Sequence, residues 1–195
     1  MHGSAVIDAV SRPARPKDGA WLGLEACSSL IPPRLLPWLA EPGLLTQRVR
    51  EAGGSAIEFR LLRLAAAPLS ADLRARLQVS DTGCLLREVE FACGGERWIY
   101  AQSVFPDSSL ARYPWLADLG DSPLGEALRR VGNAEREPLE YCEVPDGSPL
   151  AQAARPEVGA PVWARRAVYR LAGAPILVQE VFLPALLRGV PSREV

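Results

Sequence analysis

One stretch limits the fold more than any other. In LLREVEFACGGERWIYAQSVFP (85–106), two extended runs rich in β-branched and aromatic residues meet at Gly94 and Gly95. Adjacent glycines give the backbone the freedom that a tight hairpin turn requires, so this stretch reads as an antiparallel hairpin. PVWARRAVYRLAGAPILVQEVFLP (161–184) repeats the logic with Ala172, Gly173 and Ala174 at its turn. SAIEFRLLRLA (55–65) reads as a further strand. Among these strands, LLTQRVREAG (44–53) reads as a helix ending at Gly53 and Gly54. DSPLGEALRRVG (121–132) is punctuated as another, with Ser122 as N-cap, Pro123 at the first helical position and Gly132 beyond the end. PPRLLPWLAEPG (32–43) is broken by prolines into short turns.

The fold class expected is α+β, a single domain with an antiparallel sheet flanked by short helices. At 195 residues and 48% hydrophobic content the chain can bury one core without a staple. No repeat, linker or heptad divides it. The expected boundaries are a loosely packed N-terminal leader over 1–28, the domain over 29–188 and a C-terminal tail over 189–195. The leader is rich in Ala, Arg, Pro, Gly and Ser and has no sustained period.

Several chemistries lose their support. Lys+Arg is 22 against Asp+Glu 23, so no positive excess recommends nucleic acid or an anionic membrane. No apolar run reaches the roughly 20 residues needed to span a bilayer, and the N-terminus lacks a signal-peptide pattern, so a cytoplasmic protein is expected. Cys27, Cys84, Cys93 and Cys142 form no CxxC pair and His2 is the one histidine, so zinc spacing is absent and no metal is expected. The cysteines read as reduced, mostly buried thiols. Lys17, the one lysine, lies in the leader, which argues against a Schiff base. Nucleotide-binding, serine-hydrolase and zinc-protease motifs are missing. Any chemistry falls to arginines, carboxylates and backbone groups, with no cofactor.

Strand alternation singles out two charges. Along 85–93 one face carries Leu85, Arg87, Val89, Phe91 and Cys93, which sets Arg87 in the more apolar row. In the last strand Ile176, Val178, Glu180 and Phe182 share a face, so Glu180 also has apolar neighbours. A charge in an apolar row must find a partner, because burying it alone costs several kcal/mol or more. The structural reading is an internal Arg87–Glu180 salt bridge. The ligand reading is that each meets a bound molecule: the arginine fork suits a carboxylate, and a partly desolvated glutamate suits acid–base work.

The segments LLTQRV (44–49), LLREVEFACGGERWIYAQSVFP (85–106), SPLGEAL (122–128) and WARRAVYRLAGAPILVQEVFLP (163–184) resemble, in order and spacing, the chorismate pyruvate-lyase family of ubiquinone biosynthesis. The resemblance runs from about Leu36 to Pro184. It implies a sheet whose helical flaps close over an internal ligand cavity, and a cofactor-independent reaction that turns chorismate into 4-hydroxybenzoate and pyruvate. It further implies that Arg87 binds the product carboxylate, that Glu180 meets the product hydroxyl, and that Leu45 and Leu124 contribute main-chain N–H groups. Two departures stand out: Gln47 precedes Arg48 where a basic residue is expected, and residues 146–161 carry an insertion.

On that resemblance Arg87 and Glu180 are the candidate catalytic residues, with Arg87, Leu45, Leu124 and Glu180 binding substrate. The second carboxylate of chorismate needs another cation. Arg165, Arg166 and Arg170 are candidates, with Arg166 and Arg170 on one face of their strand and Arg165 on the other. Trp98 and Tyr100 read as core or cavity wall. The expected partners are chorismate and 4-hydroxybenzoate, without nucleic acid or stable membrane insertion, for a monomer. The rival from another class is a non-catalytic domain binding small aromatic acids, because effector domains of some bacterial regulators resemble this fold. Against that rival, no DNA-binding module is recognisable in residues 1–28, which are poorly suited to a helix-turn-helix.

Overall fold

Seven antiparallel strands form one open sheet in the computed structural model, which describes residues 19–157 and 161–189. The strands are β1 (Ile57–Pro68), β2 (Gly83–Cys93), β3 (Glu96–Pro106), β4 (Ala134–Arg136), β5 (Glu140–Glu143), β6 (Trp163–Leu171) and β7 (Ala174–Phe182). Their order is β1-β2-β3-β7-β6-β4, with β5 also paired to β6. Both hairpins expected from the sequence are present. Gly94 and Gly95 turn the first with φ of +58° and +83°, values that side chains rarely adopt. The second turn is one residue tighter than expected: Ala172 and Gly173 form it, while Ala174 already pairs with Leu171.

Register lines up residues across strands. Leu64, Arg87, Ser103, Val178 and Ala167 form one row, and Leu61, Val89, Ala101, Glu180 and Arg165 form the next. Because side chains alternate, both rows point to the same face.

That face is roofed by short helices. These are α1 (Leu24–Cys27), α2 (Leu36–Leu39) and α3 (Leu45–Gly53) from the N-terminal part. Their buried Leu35, Trp38, Leu39, Leu45 and Val49 pack on Val89, Phe91, Ala101 and Phe182. Of the helices that follow, α4 (Ala71–Leu77), α5 (Asp107–Arg112) and α6 (Leu124–Val131), the last sets Leu124, Ala127 and Leu128 against Phe105, Leu171 and Ile176. The reverse face is covered by α4 and by α7 (Pro149–Ala154), whose Ala151 and Ala154 pack on Tyr100, Ala164 and Val181. Residues 146–157 thus carry a helix on the side of the sheet opposite the two rows above. The last helix, α8 (Pro184–Gly189), closes the edge of the roof with Ala185 and Leu186.

Three local expectations are corrected. The N-cap of α6 is Pro123, not Ser122, and Leu124 is the first helical residue, because Pro123 O accepts from Glu126 N and Ala127 N. Residues 19–28 are packed rather than loose: Leu22 exchanges backbone hydrogen bonds of 2.9 and 2.8 Å with Tyr141, and Cys27 is fully buried. A single β-bridge and one buried side chain leave no periodic trace in a sequence. The strand read at 55–65 runs from Ile57 to Pro68, and its register shifts between Leu61 and Arg63, which breaks the alternation. Residues 1–18, with His2 and Lys17, and residues 190–195 lie outside the described residues.

Candidate functional site

Alternation puts Arg87, Val89 and Phe91 from β2, Ala101 and Ser103 from β3, and Val178 and Glu180 from β7 on the roofed face, where they floor a cavity of about 60 Å³. A single enclosed water needs only ~10–15 Å³. Arg165 and Tyr169 of β6 join the floor. The wall is built from 43–46 at the start of α3 and from Asp121 and 123–125 at the start of α6.

Arg87 is 2% exposed. Its Nη2 donates to Gly120 O at 2.9 Å and Ser122 O at 2.8 Å, and its Nε donates to Gly120 O at 3.3 Å. These bonds hold the guanidinium against the strap that leads into α6. Nη1 has no acceptor among the described residues. Burial pulls the Arg87 pKa down, and the negative charge of Asp121 works the other way.

Two helix starts converge beside it. Leu45 and Leu124 each open a helix whose N-cap carries no side-chain hydrogen bond, Leu44 for α3 and Pro123 for α6. Their first backbone N–H groups have no intrahelical acceptor and carry the positive end of each helix dipole. An Arg50–Glu126 ion pair ties α3 to α6 and holds the two ends in register. An arginine with a free nitrogen beside two such helix starts is suited to a carboxylate.

Glu180 stands one row away and meets a different partner. Arg165 Nε donates to Glu180 Oε2 at 2.5 Å, while Arg165 Nη1 donates to Leu39 O at 3.1 Å and Glu41 O at 2.9 Å. The expected internal pair is therefore not Arg87–Glu180. The two lie two strands apart, with β3 between them, whereas Arg165 is the cross-strand neighbour of Glu180. Glu41 also receives Arg48 Nη1 at 2.7 Å, which holds its carboxyl below the usual range.

Of the three arginines proposed for a second carboxylate, the cavity takes Arg165 alone. Arg166 and Arg170 project to the reverse face, where they bond Glu140 at 2.9 Å and Glu137 at 2.8 Å, and Arg76 bridges both glutamates at 2.7 and 2.8 Å. The Arg166 guanidinium also lies 4.3 Å from the Trp21 ring centre. Trp98 and Tyr100 are core rather than cavity wall, and Gln47 bonds Glu51 on the surface.

Tyr169, Asp121, Thr46 and Ser103 line the cavity and were missed from sequence. Tyr169 was within reach, since counting two and four residues from Arg165 gives Ala167 and Tyr169 on the same face. Burial raises the Tyr169 hydroxyl pKa, and the charge of Glu180 adds to the effect. Asp121 sits on an irregular strap with no period to betray it.

The cysteines take no part in this site. Cys27, Cys84 and Cys142 are buried, and burial raises all three pKa values, that of Cys142 to about 11, so they stay protonated at neutral pH. Among the described residues no group of three or more His, Cys, Asp or Glu is placed to hold a metal, and no helix is long and apolar enough to cross a membrane.

The sequence profile of the Chorismate lyase family matches residues 16–190. A "Probable chorismate pyruvate-lyase" from Thiobacillus denitrificans is 38% identical over 161 residues, covering 80% of this chain and 86% of the relative. One of the same description from Methylococcus capsulatus is 37% identical over 159 residues, covering 80% and 97%. In solved structures the fold is similar to PhnF from Mycobacterium smegmatis, with TM-score 0.55 and 17% identity over 75% of this chain and 66% of that one. It is also similar to the C-terminal domain of a histidine utilization repressor from Pseudomonas syringae pv. tomato, with TM-score 0.54 and 8% identity over 71% and 99%. At such identities the structural likeness speaks for the fold alone.

Proposed function

The chain belongs to the chorismate lyase family, and on that ground we propose that it removes pyruvate from chorismate and releases 4-hydroxybenzoate. The observation that carries this reading is the buried Arg87, with Nη1 free, beside the uncapped starts of α3 and α6 in one cavity with Glu180. In this reading Arg87 and the N–H groups of Leu45 and Leu124 receive the ring carboxylate. Glu180 faces the ring hydroxyl.

The reaction is downhill, because it ends in an aromatic ring. The ring carbon bearing the hydroxyl loses its proton, the neighbouring C–O ether bond breaks, and its electron pair leaves with enolpyruvate. Protonation of the enolpyruvate carbon gives pyruvate. No atom or electron is left over, so no redox partner enters the balance. The cavity's work is to hold the ring in position and polarise it. Glu180, oriented by Arg165, assists the proton movement. The cationic Arg165 beside it is the group nearest to hand for the enolpyruvyl carboxylate.

The competing reading is a domain that binds small aromatic acids without turning them over, and a shared fold does not separate the two. One experiment separates them. Purified protein is incubated with chorismate, with Arg87→Ala and Glu180→Ala alongside at matched folded concentration. Equal release of 4-hydroxybenzoate and pyruvate by the parent, lost in both variants, is the expected result. A folded parent that binds 4-hydroxybenzoate but releases neither product would replace the lyase with the binding domain.

A further inference from the structure

Among the described residues four charged side chains border the cavity: Arg87 and Arg165, and Asp121 and Glu180. Two cations and two anions sum to zero. Arg165 and Glu180 neutralise one another at 2.5 Å. Arg87 is left with carbonyl oxygens as its hydrogen-bond acceptors, and a buried guanidinium surrounded by dipoles alone is costly. The one remaining anion of the wall is Asp121.

Its placement is constrained by the arginine itself. Gly120 O and Ser122 O, the carbonyls on either side of Asp121, both accept from Arg87. The backbone of Asp121 is therefore held beside the guanidinium, and the residue is exposed while bordering the cavity. Asp121 makes no ion pair among the described residues. Its field nevertheless reaches Arg87, where it offsets part of the effect of burial.

We propose that Asp121 is the resident counter-charge of Arg87 in the empty cavity, that it opposes an incoming carboxylate, and that it thereby limits how tightly a carboxylate ligand is held. The inference rests on the reading above, in which Arg87 receives the ring carboxylate. A ligand carboxylate entering between the two helix starts takes over the compensation of Arg87 and leaves Asp121 as a like charge close by. A product that is itself an anion is held less firmly for it, which eases release. Asp121 acts through the field at Arg87, so it is a positioning residue rather than a catalytic one.

The test compares the parent protein, Asp121→Asn and Asp121→Glu in titrations with 4-hydroxybenzoate and with its uncharged amide, 4-hydroxybenzamide. Each is run at about 0.02 M and about 0.5 M salt. Asparagine keeps the shape and removes the charge. The expected result is that Asp121→Asn binds 4-hydroxybenzoate about three- to tenfold more tightly at low salt, that the gain shrinks at high salt, and that Asp121→Glu restores the parent affinity. The amide should bind parent and variants alike. Equal 4-hydroxybenzoate affinity in parent and Asp121→Asn, or an equal gain for the amide, overturns this inference and leaves the reading of the cavity standing. If the folded parent binds no 4-hydroxybenzoate, that reading fails and this inference falls with it.

Discussion

Arg165 and Glu180 are cross-strand neighbours on β6 and β7, and Nε donates to Oε2 at 2.5 Å, whereas β3 separates Glu180 from Arg87. The same arginine reaches across to the carbonyls of Leu39 and Glu41, so it anchors the segment between α2 and α3 to the sheet. Replacing it with methionine, which is similar in length, leaves a largely buried carboxylate and two backbone acceptors without their donor. Breaking a buried pair from one side costs ~3–5 kcal/mol. Urea unfolding of Arg165→Met should show a loss of that order, and a loss below about 1 kcal/mol would mean that the pair behaves like an exposed one.

Arg87 has a different task, and a conservative change should separate charge from shape. Arg87→Lys keeps a cation but loses the planar fork that holds Gly120 O and Ser122 O and leaves Nη1 without an acceptor among the described residues. A weakening of 4-hydroxybenzoate binding by ~10- to 100-fold is expected, because a lysine ammonium cannot hold the strap carbonyls and offer a further donor to the ligand in one fixed plane. Isothermal titration at fixed salt measures it. Unchanged affinity would show that charge alone suffices there.

The two hairpins, the α+β class and the charged residues in apolar rows were legible because each follows from a period. Alternation put Arg87 and Glu180 on inward faces, and both line the cavity. It could not say which charge would meet which. That depends on strand order, and β3 lies between β2 and β7 although the sequence places β6 next to β7 and far from β2. The Arg165–Glu180 pair lies within one hairpin, but the three-residue turn read from the sequence would have set Arg165 opposite Val181; the tighter turn at Ala172 and Gly173 shifts the ladder by one, from Leu171–Ala174 to Arg165–Glu180. The strap carrying Gly120, Asp121 and Ser122 is irregular, so nothing in its residue order announces that its carbonyls face Arg87. The packing of Leu22 on Tyr141 is likewise one isolated bridge between distant segments.

Acid should weaken the fold through the reverse face as well as the roof. For Glu140 and Glu137 burial raises the pKa, but hydrogen bonds from Arg166 and Arg76 to the first, and from Arg76 and Arg170 to the second, outweigh it and hold both below the normal value. Glu41 is lowered by its bond from Arg48. A carboxylate whose folded pKa is depressed binds fewer protons folded than unfolded over the interval between the two values. Its stabilising contribution is therefore complete above the unfolded pKa, about 4.3, and is lost as pH falls through the folded one. The thermal midpoint should drop below about pH 4.5, and Glu140→Gln should drop less steeply while starting from a lower midpoint near neutrality. A parallel dependence in parent and variant would remove Glu140 from the list of causes.

The cavity floor offers a change that separates binding from folding. Ala101 lies between Val89 and Glu180 in one row and is the smallest side chain of the three. Enlarging it to valine adds two methyl groups that can turn toward the cavity Ala101 borders rather than toward the roof residues packed on it, so most of the overpacking penalty of ~1–3 kcal/mol seen in filled cores should be avoided. A ring lying between Arg87 and Glu180 would meet those methyl groups, because Ala101 is the next residue over from Glu180 on the strand between them. Ala101→Val should thus keep the parent's unfolding midpoint while 4-hydroxybenzoate affinity falls by more than about tenfold, a difference of ~1.4 kcal/mol. Retained affinity with retained stability would place the ligand away from this row, and it would remove Glu180 from the site while leaving the carboxylate-binding role of Arg87 to be judged by its own variants.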